Sequence, residues 1–241
     1  DTLFILEANP RASRTMPFVS KVTGNQIIKA GTLLMLGHSL DSIKKTTNYL
    51  NSSTNKVAIK KAIFPWSRFP AEDTMLGPEM KATGEVLGIG RSFGVALNKA
   101  YAAAGVEINE NEKGIFVSLS DQEKPNFIKI VKTYSDLGFK IYSTYGTGEY
   151  LKNNDINSTI VGRADETFPT SLTIIQDKLI SLVINTPTFA NEYTDGWKIR
   201  RLSHETGVAV VSSVREAEAF LKAFLETTKS FEDMEAIQNV S

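Results

Sequence analysis

Between Gly114 and Val211 the chain repeats one unit, a short apolar β-prone run followed by a helical stretch. The runs are Gly114 to Leu119, Phe139 to Ser143, Ser158 to Val161, Leu179 to Ile184 and Val208 to Val211. Strands this continuously apolar leave no face for water, so they predict an α/β fold with a five-stranded parallel sheet covered by helices on both sides. Ligands of such sheets sit beyond the carboxyl ends of the strands. The segments there are 118–124, 144–147, 162–163 and 185–188. Among them TYGTG sets Thr144, Gly146 and Thr147 at a strand-to-helix turn, where free N–H groups and the helix dipole favour a phosphate. Lys124 and Arg163 add charge. On the residues alone two readings stand: an anion site, or Thr and Gly capping a helix beside a solvated lysine.

The first half is built differently. Leu3 to Leu6 reads as a strand, which places Glu7 and Asn9 two residues apart on one face, with Pro10 ending the ladder and Arg11 and Arg14 following. A carboxylate and an amide oxygen suit Mg²⁺, and guanidinium forks suit phosphate oxygens. The alternative is a strand end with a solvated basic turn. Beyond it the pattern predicts a helix from about Ser20 to Leu36, a short helix near Ser39 to Tyr49, a strand at Val57 to Phe64 and an Ala-rich helix from Ser92 to Ala104 capped by Ser92. Pro65 to Pro78 carries three prolines and reads as loop. Gly88, Gly90 and Gly94 imitate a dinucleotide fingerprint, but the spacing has one residue too many and the motif does not follow a convincing strand in a βαβ unit.

Composition narrows the classes. The 241 residues suffice for two domains, with 27 basic against 27 acidic residues, which argues against a general nucleic-acid or membrane-surface binder. Cysteine is absent, so there is no disulfide framework and no thiolate chemistry, as expected of a cytoplasmic protein. No apolar stretch reaches the roughly 20 residues of a membrane span, and the start lacks the basic region of a signal peptide. The two histidines, His38 and His204, lie in different halves, and His204 beside Arg200 and Arg201 reads as a helix-surface residue. Ser118, Ser120 and Ser143 lack a nucleophile elbow, and Asp165 with Glu166 do not form a glycosidase pair.

Two long strings carry a resemblance. EANPRASRTMPFVSKVTG and FPAEDTMLGPEMKATGEVLGIGRSFGVALNKAYAAAG resemble the closing part of the second ATP-grasp unit in the large chain of carbamoyl-phosphate synthase. The second half resembles the methylglyoxal-synthase-like regulatory domain that ends that chain, so the resemblance covers roughly residues 1 to 228. It implies the end of an ATP-grasp fold over residues 1–108, a three-layer α/β/α methylglyoxal-synthase-like domain over 109–228, and a polar tail at 229–241. It also implies a piece of a longer protein, inactive by itself, that begins at the metal-binding strand.

The resemblance assigns roles residue by residue. Glu7 and Asn9 are expected to hold Mg²⁺ or Mn²⁺ at the phosphates of ATP. Arg11 binds the nucleotide, and Arg11 and Arg14 stabilise charge on the phosphoryl group transferred to carbamate. The intact enzyme makes carbamoyl phosphate from bicarbonate, glutamine-derived ammonia and two ATP for arginine and pyrimidine synthesis, with a glutamine amidotransferase small subunit as partner and self-association left open. Ser118, Lys124, Thr144, Thr147 and Asn185 match the pocket for a nucleotide or other small anionic effector. Arg163 stands where many members carry Lys, and Pro187 replaces a frequent hydroxyl. Lyases of the methylglyoxal-synthase type carry paired glycines and a catalytic Asp after the third strand; here that region reads GRADETFPTSLTIIQDK, so binding without catalysis is expected. A free-standing effector module and such a lyase are the alternatives.

Overall fold

The computed structural model describes residues 3–5, 7, 11, 13–49, 55–69, 72, 74, 84–106, 114–163, 166, 169–186 and 194–227. These fall into two compact units, one holding described residues up to Lys56 and the other those from Val57 on.

The first unit holds three helices, α1 (Thr15–Thr23), α2 (Ile27–Met35) and α3 (Leu40–Thr46). The single helix expected from Ser20 to Leu36 is instead two. Gly24 takes the left-handed conformation, φ 68°, that ends α1, a role glycine fills without steric cost. Ser39 caps α3 by accepting from the Ser42 amide. The expected opening strand is not formed over Leu3 to Ile5, which stand 79% to 91% exposed. A strand exists through its ladder partners, and among the described residues none pairs with this segment.

The second unit begins with an antiparallel pair, β1 (Val57–Ile63) and β2 (Gly84–Gly90), joined through a 3₁₀ turn at Trp66–Arg68 and followed by α4 (Phe93–Ala103). The first two glycines of GIGRSFG lie inside β2, in keeping with the sequence reading that the motif follows no strand of a βαβ unit. Its strand is a hairpin partner, not the opening of a βαβ unit. A Cβ on Gly88 would stand 2.0 Å from the Ala96 carbonyl oxygen, so the glycine lets α4 lie directly on β2. Ser92 caps α4 as expected.

The five predicted strands follow as β3 (Gly114–Ser118), β4 (Lys140–Ser143), β5 (Thr159–Ile160), β6 (Leu182–Asn185) and β7 (Ala209–Val211). They form one parallel sheet in the order β5-β4-β3-β6-β7. The connecting helices are α5 (Lys124–Asp136), α6 (Tyr145–Lys152), α7 (Ser171–Gln176) and α8 (Asp195–Thr206), with α9 (Val214–Thr227) last. Alternate strand residues feed two cores. Ile115, Val117, Leu182 and Ile184 pack with Phe127 of α5, Leu151 of α6 and Phe220 of α9. Phe116, Tyr142 and Val183 pack with Ile174 and Ile175 of α7 and Ile199 of α8. Both faces are thus buried, which is why the strands read as unbroken apolar runs.

Helix α4 belongs to this unit. Tyr101 meets Phe220 edge-on at 5.6 Å, and the Glu226 carboxylate of α9 accepts the Gly94 amide hydrogen at 2.6 Å. That bond is the main reason the Glu226 carboxyl is held below the usual carboxylate range. The compact division after Lys56 therefore precedes the boundary expected at 108/109. That boundary and the tail at 229–241 lie outside the described residues.

Candidate effector crevice

The carboxyl ends of β3 and β6 are neighbours, with Ser118 paired to Asn185. From β3 the chain runs through α5 to β4, and from β6 through α8 to β7 on the other side. The connections diverge, which opens a crevice at this point of the sheet edge.

Side chains at the strand ends tie its floor together. The Asn185 Nδ2 donates to the Ser118 carbonyl oxygen at 3.4 Å, while its Oδ1 accepts from Arg200 Nη1 at 2.7 Å. The Thr147 Oγ1 accepts the Leu119 amide hydrogen at 3.0 Å, and Thr186 Oγ1 accepts that of Ser120 at 2.8 Å. The loop leaving β3 is thus gripped from α6 on one side and from the end of β6 on the other.

The start of α6 is built for an acceptor. Thr144 occupies the N-cap position but its side chain makes no capping bond; its Oγ1 donates to Thr147 Oγ1 at 3.2 Å. Thr170 and Thr194 do cap α7 and α8, so the cap reading of Thr144 does not hold. Among the described residues the first amides of α6 have no acceptor partner, and they carry the positive end of the dipole. Lys124 leans over this turn. Its Nζ lies 3.9 Å from where a Cβ on Gly146 would stand, pairs with Asp121 Oδ1 at 2.6 Å, and sits 5.8 Å from the centre of the Tyr150 ring. The Lys124 side chain is 12% exposed, so it is not the solvated lysine of the alternative reading.

Ser118, Lys124, Thr144, Thr147 and Asn185 therefore gather on this edge. Arg163 is set apart on the rim, its side chain 73% exposed and its Nε 3.9 Å from Asp195 Oδ2 at the start of α8. Pro187 and Thr188 lie outside the described residues; Thr186 is buried in the floor. The first-half candidates are described only in part. Glu7 and Arg11 are exposed, Arg14 is the N-cap of α1, and Asn9 lies outside the described residues. Among the described residues no group of three or more His, Asp or Glu side chains is placed to hold a metal ion.

Two residues escaped the sequence reading. Arg200 and Arg201, consecutive on α8, are both buried, at 3% and 8% exposure. Arg201 turns the other way, to Glu205 and to the Phe69 carbonyl oxygen at 2.8 Å each. His204 is half-buried and not a plain surface residue; its ring lies 6.1 Å from that of Trp66. Burial first, then the charges of Lys61, Arg201 and Arg200, push it down to about 4. It borders a recess of about 420 Å³ together with Lys178, Ser181 and Gly207, at the opposite edge of the sheet. No helix among the described residues is long and apolar enough to cross a membrane.

Residues 126–212 match the MGS-like domain family. Over 98% of its length the chain is 38% identical to the carbamoyl phosphate synthase large chain of Nostoc sp., of which it covers 21%. It is 37% identical over 96% of its length to the carbamoyl phosphate synthase large chain, C-terminal section, of Aquifex aeolicus, covering 45% of that protein. The large chain of Methanocorpusculum labreanum is 39% identical over 95% of the chain, which covers 21% of it. The chain is thus related over nearly its whole length to carbamoyl phosphate synthase large chains, and spans about a fifth to under a half of them.

Proposed function

We propose that this chain serves a carbamoyl phosphate synthase, an ATP-dependent ligase, as the effector-binding end of its large chain together with the closing segment of a carbamate-phosphorylating ATP-grasp unit. The name shared by the relatives supports this over a methylglyoxal-synthase-type lyase. The expected division at 108/109 is kept as a functional one: the hairpin and α4 come from the ATP-grasp part but pack with the regulatory sheet.

The observation that carries the effector reading is the start of α6 under Lys124, which has no capping side chain among the described residues. An anion there meets the helix N-terminus, the Thr144 and Thr147 hydroxyls and the Lys124 ammonium. Thr147 accepts from both Leu119 and Thr144, which leaves its own hydrogen to donate. Lys124 must exchange Asp121 for the ligand, and Arg163 adds charge from the rim. Ser118 and Asn185 bound the β3/β6 side. A nucleotide monophosphate is the leading ligand, since a dianionic phosphate suits cations and a helix N-terminus together; an acylated amino acid is the alternative.

In the ATP-using part, Glu7 and Asn9 are assigned to Mg²⁺ or Mn²⁺, and Arg11 and Arg14 to the phosphates of ATP and to charge on the transferred group. We assign the intact protein to the cytoplasm, to arginine and pyrimidine synthesis, and to a glutamine amidotransferase small subunit as partner. The chain spans a minor part of its relatives, and by itself is expected to make no carbamoyl phosphate from ATP, bicarbonate and ammonia. Robust product from the purified chain would overturn that assignment. In the full-length protein, Glu7→Gln is expected to impair carbamate phosphorylation while sparing the bicarbonate-dependent ATP reaction; equal loss of both contradicts the role given to Glu7.

A further inference from the structure

We propose that Arg200 is a positioning residue of the crevice, fixing the Asn185 carboxamide so that it offers a bound ligand an N–H and not its carbonyl oxygen. The proposal rests on the effector reading above. A carboxamide has two ends of nearly equal shape, and which end faces where is decided by its neighbours. Here both neighbours are one-way groups. A guanidinium only donates, so the oxygen must face Arg200 Nη1 at 2.7 Å. A carbonyl only accepts, so the nitrogen must face Ser118 at 3.4 Å. Flipping the amide would break both bonds at once.

Asn185 and Arg200 are each 3% exposed, so water competes poorly for either partner. Helix α8 holds the arginine in place: Thr194 caps its start, and a side chain at Gly196 would come within 3.0 Å of Arg200 Nη1. With the oxygen occupied and one amide hydrogen on Ser118, the second hydrogen is what Asn185 has left for a ligand. The group that this hydrogen meets at the end of β6 is therefore an acceptor, such as a phosphate or carboxylate oxygen. Asp at 185 would still satisfy Arg200, but would set an acceptor against the Ser118 oxygen and against the anion.

The test uses the whole chain, labelled with ¹⁵N, and inorganic phosphate, UMP and N-acetylglutamate as probes. The side-chain amide signals of Asn185, identified by their loss in Asn185→Asp, are expected to be displaced from those of free asparagine and slow to exchange. Arg200→Met is expected to return them toward free asparagine and to weaken binding of the tightest probe by roughly 10- to 100-fold. Arg200→Lys should restore part of both, and Asn185→Asp should abolish binding with the circular dichroism spectrum intact. Unchanged amide signals and affinity in folded Arg200→Met overturn the proposal. If that variant does not fold, the same pair of unchanged readings in Arg200→Lys overturns it. If no probe binds the wild-type chain, the effector reading fails alone, and the amide signals of the arginine variants decide the positioning role by themselves.

Discussion

The Thr147 hydroxyl oxygen accepts the amide hydrogen of Leu119 across 3.0 Å, so a residue in the first turn of α6 fixes the loop that leaves β3. Thr147 is 1% exposed. Its replacement by Val keeps the shape and leaves a buried N–H without a partner, which costs about 1–3 kcal/mol. Urea unfolding is expected to show that loss for Thr147→Val and little for Thr144→Ala, whose hydroxyl touches no backbone amide. Equal losses would mean that the loop is not held by Thr147. For the same reason Thr147→Ala is an ambiguous probe of ligand contact.

Gly88 and Gly31 provide a contrast in backbone packing. A methyl group at Gly88 runs into the backbone of Ala96 and Ala100, whereas at Gly31 it meets nothing within 4 Å. Gly88→Ala is expected to cost well over 2 kcal/mol, as overpacking against backbone does, while Gly31→Ala in α2 should stabilise by about 0.5–1 kcal/mol. Thermal melts of the two variants check this, and a Gly88→Ala chain as stable as wild type would show that α4 does not lie against β2 as described.

His204 sets a pH dependence. Its folded value of about 4 lies below the unfolded 6.5, so between these values the unfolded chain takes up a proton that the folded chain refuses. Stability from this group is present above pH 6.5, falls as the pH drops toward 4, and falls no further below that. Between pH 7 and 5 the loss is on the order of 1–2 kcal/mol. In His204→Gln the urea midpoint should depend less on pH across this window; an unchanged slope would show that the ring is not shielded.

Much of the five-stranded sheet was legible because continuous apolar runs have few other uses. The boundaries moved where local chemistry won. Leu179 and Ile180 were read as strand, but the Leu179 amide donates to the Ile174 carbonyl and Lys178 turns left-handed at φ 52°, closing α7. The edge strand β5 keeps only two residues, Thr159 and Ile160. In the first half, Gly24–Asn25 was a helix stop inside an otherwise helical pattern, and β2 was hidden because three glycines mask strand composition, two of them, Gly88 and Gly90, serving close contact with α4.

The crevice was legible as a set of strand-end residues, but not as a network. Arg200 reads as helix surface in any sequence, since burial of a guanidinium depends on a partner 15 residues away. The Lys124–Asp121 pair was equally invisible, because it depends on how the loop after β3 turns back onto α5.

The most direct test of the effector crevice is calorimetric titration of the whole chain with UMP, IMP and N-acetylglutamate, comparing wild type with Lys124→Met and Thr144→Ala. Binding below millimolar concentration is expected for wild type with at least one of them. Lys124→Met should weaken it roughly 10-fold or more, through loss of a charge-assisted contact, without a matching loss of stability. Binding of all three only above millimolar concentration, or equal affinity in wild type and both variants, would contradict an anion site at the start of α6.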